Sequence, residues 1–223
     1  MRFTAFTPFD LWLLVQGLGV TVGLFLATSL IGLLIGTAWG VVRFFRVPVL
    51  TQAIAFVAEV LKNSPVLVQL FLVFFGFPAF FHLNLGPVEA AVITLSANTA
   101  AFVYVIAVSA IESIGRDQVE AARVSGLSRW QVLRHVIAPQ AAAFSVGPLT
   151  ALLVNQLQVT SLISVIGVMD LAKIGATLNL RTLKPFVVWS VVGLLYYLAA
   201  KLVAALGTRI ETRLRAHTVF RGL

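Results

Sequence analysis

Five apolar stretches, each about as long as a bilayer is thick, constrain this chain more than any other feature. They run over about 11–42, 50–77, 88–114, 136–159 and 186–206. As a helix, ~20 apolar residues cross the ~30 Å of hydrocarbon. A spanning segment must satisfy its backbone groups internally, and the alternation of barrel strands is not seen. The expected fold is therefore all-α, a polytopic membrane protein with five transmembrane helices, residues 1–223 forming one membrane-spanning domain. Composition agrees. The chain is 60% apolar and 11% charged, where a typical soluble domain is roughly 45–50% apolar and about 25% charged. A soluble enzyme, a disordered regulator and a disulfide-stapled domain are excluded. The cysteine count is 0, which removes disulfides, thiolate metal sites and a Cys nucleophile. The first stretch is expected to remain as an anchor rather than a cleaved signal. It is too long, and no small-residue cleavage pattern closes it.

The formal charge of +8 matches a nucleic-acid binder, so the position of the charges decides. Ten Lys or Arg residues fall on one side of the spans: Arg43, Arg46, Arg116, Arg123, Arg129, Arg134, Arg209, Arg213, Arg215 and Arg221. Four fall on the other: Arg2, Lys173, Arg181 and Lys184. Lys62 and Lys201 lie within apolar stretches. The basic side faces the cytoplasm, so the expected amino terminus is outside and the carboxy terminus cytoplasmic. The charge reads as topology, with attraction to anionic membrane lipid as a secondary effect. Nucleic acid is not expected as a partner.

Gly32, Gly36 and Gly40 recur at four-residue spacing in the first span, with Gly19 and Gly23 earlier. Small residues so spaced let helix backbones approach. They serve either static packing or a sliding surface.

The loop at 115–135 carries the most information. Asp117 with Glu120 suits a helix start, Ala121 and Ala122 favour the helix, and Gly126 can end it in the left-handed conformation. Ser128 with Gln131 repeats the start signal, and Val132, Leu133 and Val136 give the second helix an apolar face. Taken alone this resembles a DNA-reading helix-turn-helix. A recognition helix held between two nearby spans could not easily enter a groove, so a dock for a cytoplasmic partner fits better.

Polar groups inside spans are functional candidates by default. Glu59, Lys62 and Asn63 are spaced to meet on one helix face. Pro65 lacks a donor and biases Ser64 away from helix, so a kink or break is expected there. Gln69 follows one turn on. This segment either lines or gates a path, or Glu59 and Lys62 pair near the cytoplasmic end. Asn98, Asn155, Gln156 and Gln158 form a second set, as path lining or as interhelical hydrogen bonds worth ~0.6 kcal/mol each. Asn155 and Gln158 are spaced to share a face. His82, His135 and His217 are scattered, with no metal-ligand spacing. No Ser/His/Asp arrangement is evident.

Glu120-Ala121-Ala122, then Gly126, then Ile137-Ala138-Pro139, resembles the EAA loop of bacterial ATP-binding-cassette importer permeases. The wider chain is similar to the polar amino acid permease subfamily. Glu59-Val60-Leu61-Lys62-Asn63-Ser64-Pro65-Val66-Leu67-Val68-Gln69-Leu70 resembles its E-x-x-R-N-T-P-L-L-V-Q-L, and Thr160-Ser161-Leu162-Ile163-Ser164 lies in a further shared segment. The resemblance covers roughly 11–215. It implies the type I importer permease fold in the bacterial cytoplasmic membrane. Two permease subunits, this chain with a different one or a second copy, enclose the path. A periplasmic solute-binding protein delivers a polar amino acid or related small zwitterion. An ATPase dimer beneath binds ATP and Mg and receives a coupling helix from each permease. Glu120, Ala121, Ala122, Gly126 and Pro139 would carry coupling, and Thr160, Ser161 and Ser164 would lie in an outer gate. No cofactor is expected on this chain. It has no G-x-x-x-x-G-K-[ST] and no catalytic site of its own, so hydrolysis comes from the partner. The chain departs from the family's A-Y-x-A-E-x-x-R-G, with Val105 and Val108 at the Glu and Arg places, and from K-D-T-S, with Gln158 and Val159. Those losses point to a different permease partner carrying the charges. Two other classes stand beside this reading. A membrane scaffold would need none of the intramembrane amides. Half of an ion-driven transporter would carry inverted repeats, which are not seen.

Overall fold

The computed structural model describes residues 6–219, with side chains as far as 214. Arg2, Arg215, His217 and Arg221 lie outside the residues whose side chains are described. In chain order come α1 (Pro8–Phe45), α2 (Pro48–Asn63) and α3 (Val66–Phe71), then a π turn (Leu72–Gly76) leading into α4 (Phe77–Phe81). Next are α5 (Pro87–Glu112), α6 (Arg116–Val124) and α7 (Arg129–Val132). A second π turn (Leu133–Ile137) leads into α8 (Ala138–Val159), a 3₁₀ segment (Thr160–Ile166), α9 (Leu171–Thr182) and α10 (Pro185–Val219). Helices α1, α2, α5 and α10 all begin on proline, whose missing N–H is no loss at that position.

Four continuous helices are long and apolar enough to cross a bilayer: Pro8–Phe45, Pro87–Glu112, Arg129–Ile166 and Pro185–Leu214. The expected span at 50–77 is not one straight helix. It is the pair Pro48–Asn63 and Val66–Phe81, bent by 110°. Ser64 is extended, with φ −109° and ψ 146°, as a residue before proline tends to be. The fourth span begins earlier than expected, because its helix already starts at Arg129 inside the loop. Both π turns end two residues before a proline, Pro78 and Pro139. A proline ring presses on the carbonyl four residues back and cannot donate to it. A turn widened to i→i+5 absorbs that pressure without breaking the rod.

Helix α5 is the central post, with Thr94, Leu95, Ser96, Asn98, Thr99, Ala100, Ala101, Val103 and Tyr104 all buried. The first span lies against it through glycine. A Cβ on Gly32 would stand 2.5 Å from the Thr99 Cβ, one on Gly36 2.5 Å from the Ala100 carbonyl oxygen, and one on Gly40 2.8 Å from the Ala107 Cβ. These three glycines pack closely on α5 at positions where a Cβ would clash. Gly19 and Gly23 face open space. At one end, Ala110, Ile114, Ala122, Val132, Leu133, Ile137 and Ala141 bind the loop to the spans. At the other, Leu14, Leu171, Leu178, Val188 and Val192 join α1, α9 and α10.

Candidate functional site

The loop folds by its own backbone. Helix α6 is capped by Gly115 rather than by Asp117, which lies within its first turn. The Asp117–Glu120 start signal is thus displaced, and Asp117 instead meets the positive end of the helix dipole. Gly126 sits at φ +84°. Its N–H donates to the Arg123 carbonyl at 2.9 Å, and the Leu127 N–H donates to the Ala122 carbonyl at 3.2 Å. This pair of bonds is a Schellman ending. The second start is as expected. The Ser128 N–H donates to Gln131 Oε1 at 2.8 Å and the Gln131 N–H to Ser128 Oγ at 3.3 Å.

The two faces of the loop differ. Ala122 is buried, packed with Val132, Leu133 and Ile137 against the ends of the spans. Trp130 stacks on Phe45, centroids 6.3 Å apart. Gln140 Nε2 donates to Gln118 Oε1 at 2.8 Å, tying α6 to α8. Glu120, Ala121, Ser125 and Gly126 are exposed, and Val124 is 90% exposed. Glu120 lies mid-helix and makes no ion pair among the described residues. Pro139 stands exposed in the first turn of α8, just past the π turn it shapes.

The elbow at Ser64–Pro65 uses its polar groups internally. Gln69 Nε2 donates to the Leu61 carbonyl at 2.6 Å and to Ser64 Oγ at 2.8 Å. It also reaches the Ser64 carbonyl at 3.1 Å. Asn98 Nδ2 reaches the Leu61 carbonyl at 3.3 Å and Gln69 Oε1 at 3.4 Å. These amides satisfy carbonyls that the break strips of helical partners. Glu59 and Lys62 pair at 3.0 Å on the exposed side of α2, and Asn63 Nδ2 donates to Glu59 Oε1 at 2.6 Å. So the structure brings Ser64, Gln69 and Asn98 together, and sets Glu59, Lys62 and Asn63 apart from them.

On α8, Asn155 and Gln158 are both exposed and share a face. Gln156 turns inward. It reaches Thr28 Oγ1 at 3.5 Å and the Leu95 carbonyl at 3.4 Å, fastening α8 to α1 and α5. Thr160 is buried and donates to the Leu157 carbonyl at 2.6 Å, while the half-buried Ser161 donates to the Gln158 carbonyl at 2.8 Å. Val105 lines an apolar groove of about 340 Å³ with Phe144 and Pro148. Val108 instead faces a basic cleft of about 600 Å³ at the loop end.

Sequence reasoning missed a polar fastening at the other end. Asp10 is fully buried and paired with Arg181, and the Thr7 N–H donates to its Oδ2 at 2.8 Å. Asp170 caps α9 by accepting from the Lys173 N–H at 2.8 Å, and Tyr196 donates to it at 3.4 Å. Burial raises the Asp170 carboxyl above its usual range, against these donors. The Leu171 N–H donates to Thr21 Oγ1 at 3.1 Å. The available signal was Asp10, a lone acid at the mouth of the first span.

The chain is similar to known proteins in sequence and in fold. A family model described as binding-protein-dependent transport system inner membrane component matches residues 19–216. The glutamine transport system permease protein GlnP of Escherichia coli (strain K12) is 30% identical over 204 residues, covering 91% of this chain and 93% of its own length. The L-cystine transport system permease protein TcyL of Bacillus subtilis (strain 168) is 31% identical over 207 residues, covering 89% and 81%. A crystal structure of an amino acid ABC transporter with histidines superposes with a TM-score of 0.83 at 27% identity, over 90% of this chain and 94% of that one. An inward-facing structure of the MetNI methionine ABC transporter shares the fold, with a TM-score of 0.82 at 21% identity over 94% and 99%. The all-α, multi-span build, the extent of the family match and the likeness to GlnP converge: the chain belongs to the binding-protein-dependent transport system inner membrane components, as an ABC importer permease.

Proposed function

We propose that this permease, acting as one domain over residues 1–223, admits a polar amino acid or related small zwitterion delivered by a periplasmic binding protein. The carrying observation is the division of the loop into a buried inner face and a free outer one. Ala122 is spent on the chain's own core, while Glu120, Ala121 and Val124 are left for a partner. That partner is an ATPase dimer, which binds ATP and Mg and receives α6 in a surface cleft. The excess of basic residues at the loop end supports a cytoplasmic loop and carboxy terminus, with the amino terminus outside. Because α7 runs through the π turn into α8, movement of the ATPases passes from the loop to the polar end of that helix.

Asn155 and Gln158 are the path-facing amides in this reading, with Thr160 and Ser161 just beyond at the outer gate. Gln69 and Asn98 hold the elbow that shapes the path, and Glu59, Lys62 and Asn63 stand at its edge. Uncharged Val105 and Val108, at places the family often fills with charges, support a second, different permease that carries the solute-contacting charges. A purified transporter containing this permease alone, in two copies, would refute that pairing. The coupling role is tested by Ala121→Trp and Gly126→Pro in the complete transporter. Both are expected to abolish ATP-driven uptake while membrane insertion persists. Normal uptake by either variant refutes it.

A further inference from the structure

The cleft at the loop end borders the coupling loop but extends beyond it, to Arg43, Arg46 and Thr51 on α1, its C-cap and α2. It lies between the end of α1, the start of α2, the end of α5 and the loop. Four guanidiniums line it, from Arg43, Arg46, Arg123 and Arg129, against one carboxylate, Glu112. None of the four forms an ion pair among the described residues. Thr51 also lines it. This residue is only 7% exposed, and its hydroxyl has no hydrogen-bond partner. Buried polar atoms are rarely left unsatisfied, and such an atom calls for an explanation. Four arginines without an ion pair, in a cleft whose wall includes an unpartnered hydroxyl, fit an anion with several acceptor oxygens. Arginine binds phosphate in a two-pronged fashion and threonine adds a further donor.

We infer that this cleft holds the phosphate headgroup of an anionic phospholipid. The cleft sits where α1 and α5 end, which in the orientation proposed above is the cytoplasmic headgroup region. Phe44 and Ile111, from α1 and α5, give it an apolar wall. A lipid can lay its glycerol and upper acyl carbons on that wall, whereas inorganic phosphate gains nothing from it. The site adds a lipid contact beside the coupling loop and rests on the membrane orientation proposed above. Its test reads retained lipid rather than uptake, so it fails separately from the importer reading.

The complete transporter in detergent is titrated with dioleoyl phosphatidylglycerol or dioleoyl phosphatidylcholine, and bound lipid is counted by native mass spectrometry. Preferential retention of phosphatidylglycerol is expected. Arg43→Gln with Arg46→Gln should weaken it about thirtyfold, or ~1 kcal/mol for each arginine near the anionic lipid. Thr51→Val should weaken it about fivefold through the lost hydroxyl. Arg209→Gln, on α10 and outside the cleft, should leave it unchanged. If the double glutamine variant fails to assemble, Arg43→Lys with Arg46→Lys decides together with Thr51→Val. The lysines keep the charge but lose the fork, so weaker retention is expected. Equal retention of the two lipids, retention unchanged in the cleft variants, or displacement of the lipid by inorganic phosphate overturns the proposal.

Discussion

The chain breaks its helices in two places by opposite means. At Ser64–Pro65 the break is made by a residue that cannot donate. It leaves carbonyls open, and the side chains of Gln69 and Asn98 close them. At Gly126 the break is made by a left-handed residue, and the backbone closes itself through Ala122 and Arg123. The first device consumes polar side chains. The second needs only Ser125, whose hydroxyl donates to the Ala121 carbonyl at 2.9 Å, and leaves Glu120 without an ion pair among the described residues. A motif rich in polar residues is therefore not by itself a contact surface. It becomes one where the backbone needs few of them.

The contrast can be broken or sharpened by substitution, with thermal unfolding of the purified transporter as the common readout. Gln69→Leu has the largest expected effect. It leaves the Ser64 carbonyl unmet and that of Leu61 with the longer Asn98 contact alone, and should cost about 2–3 kcal/mol. Unchanged stability would mean that the elbow's amides are free, and the contrast would fall. Gly126→Ala should cost about 1–2 kcal/mol, because a Cβ resists the left-handed conformation. Its Cβ would meet open space, so a larger loss would point to a hidden contact. Ser128→Ala should cost about 1 kcal/mol through the lost cap. Glu59→Gln should leave the melting temperature unmoved, since exposed ion pairs contribute little. A clear drop would place the Glu59–Lys62–Asn63 ladder inside the elbow's support.

Much of this was legible in the sequence, for identifiable reasons. Apolar length marked four spans, and Pro65 marked the break in the fifth. Gly126 and the Ser128–Gln131 pair marked the loop, because backbone constraints are local. The extent of the bend at Pro65 was not legible, since proline removes a bond but does not choose an angle. Nor was the role of Gln69. A lone amide in a span reads the same whether it faces a path or a neighbouring carbonyl. The pair of Asp10 with Arg181 joins distant parts of the chain, and its arginine had already been assigned to topology. Gln156 was grouped with Asn155 and Gln158 by proximity, yet one step along a helix turns a side chain to a different face.

The contact between the first span and α5 sets a rule about inheritance. At Gly32, Gly36 and Gly40 the nearest atoms would stand 2.5–2.8 Å from any Cβ. Every other amino acid carries that carbon, so no missense allele at these positions avoids the clash. Selection should hold all three as glycine in descendants of this chain and leave Gly19 and Gly23, which face open space, free to drift.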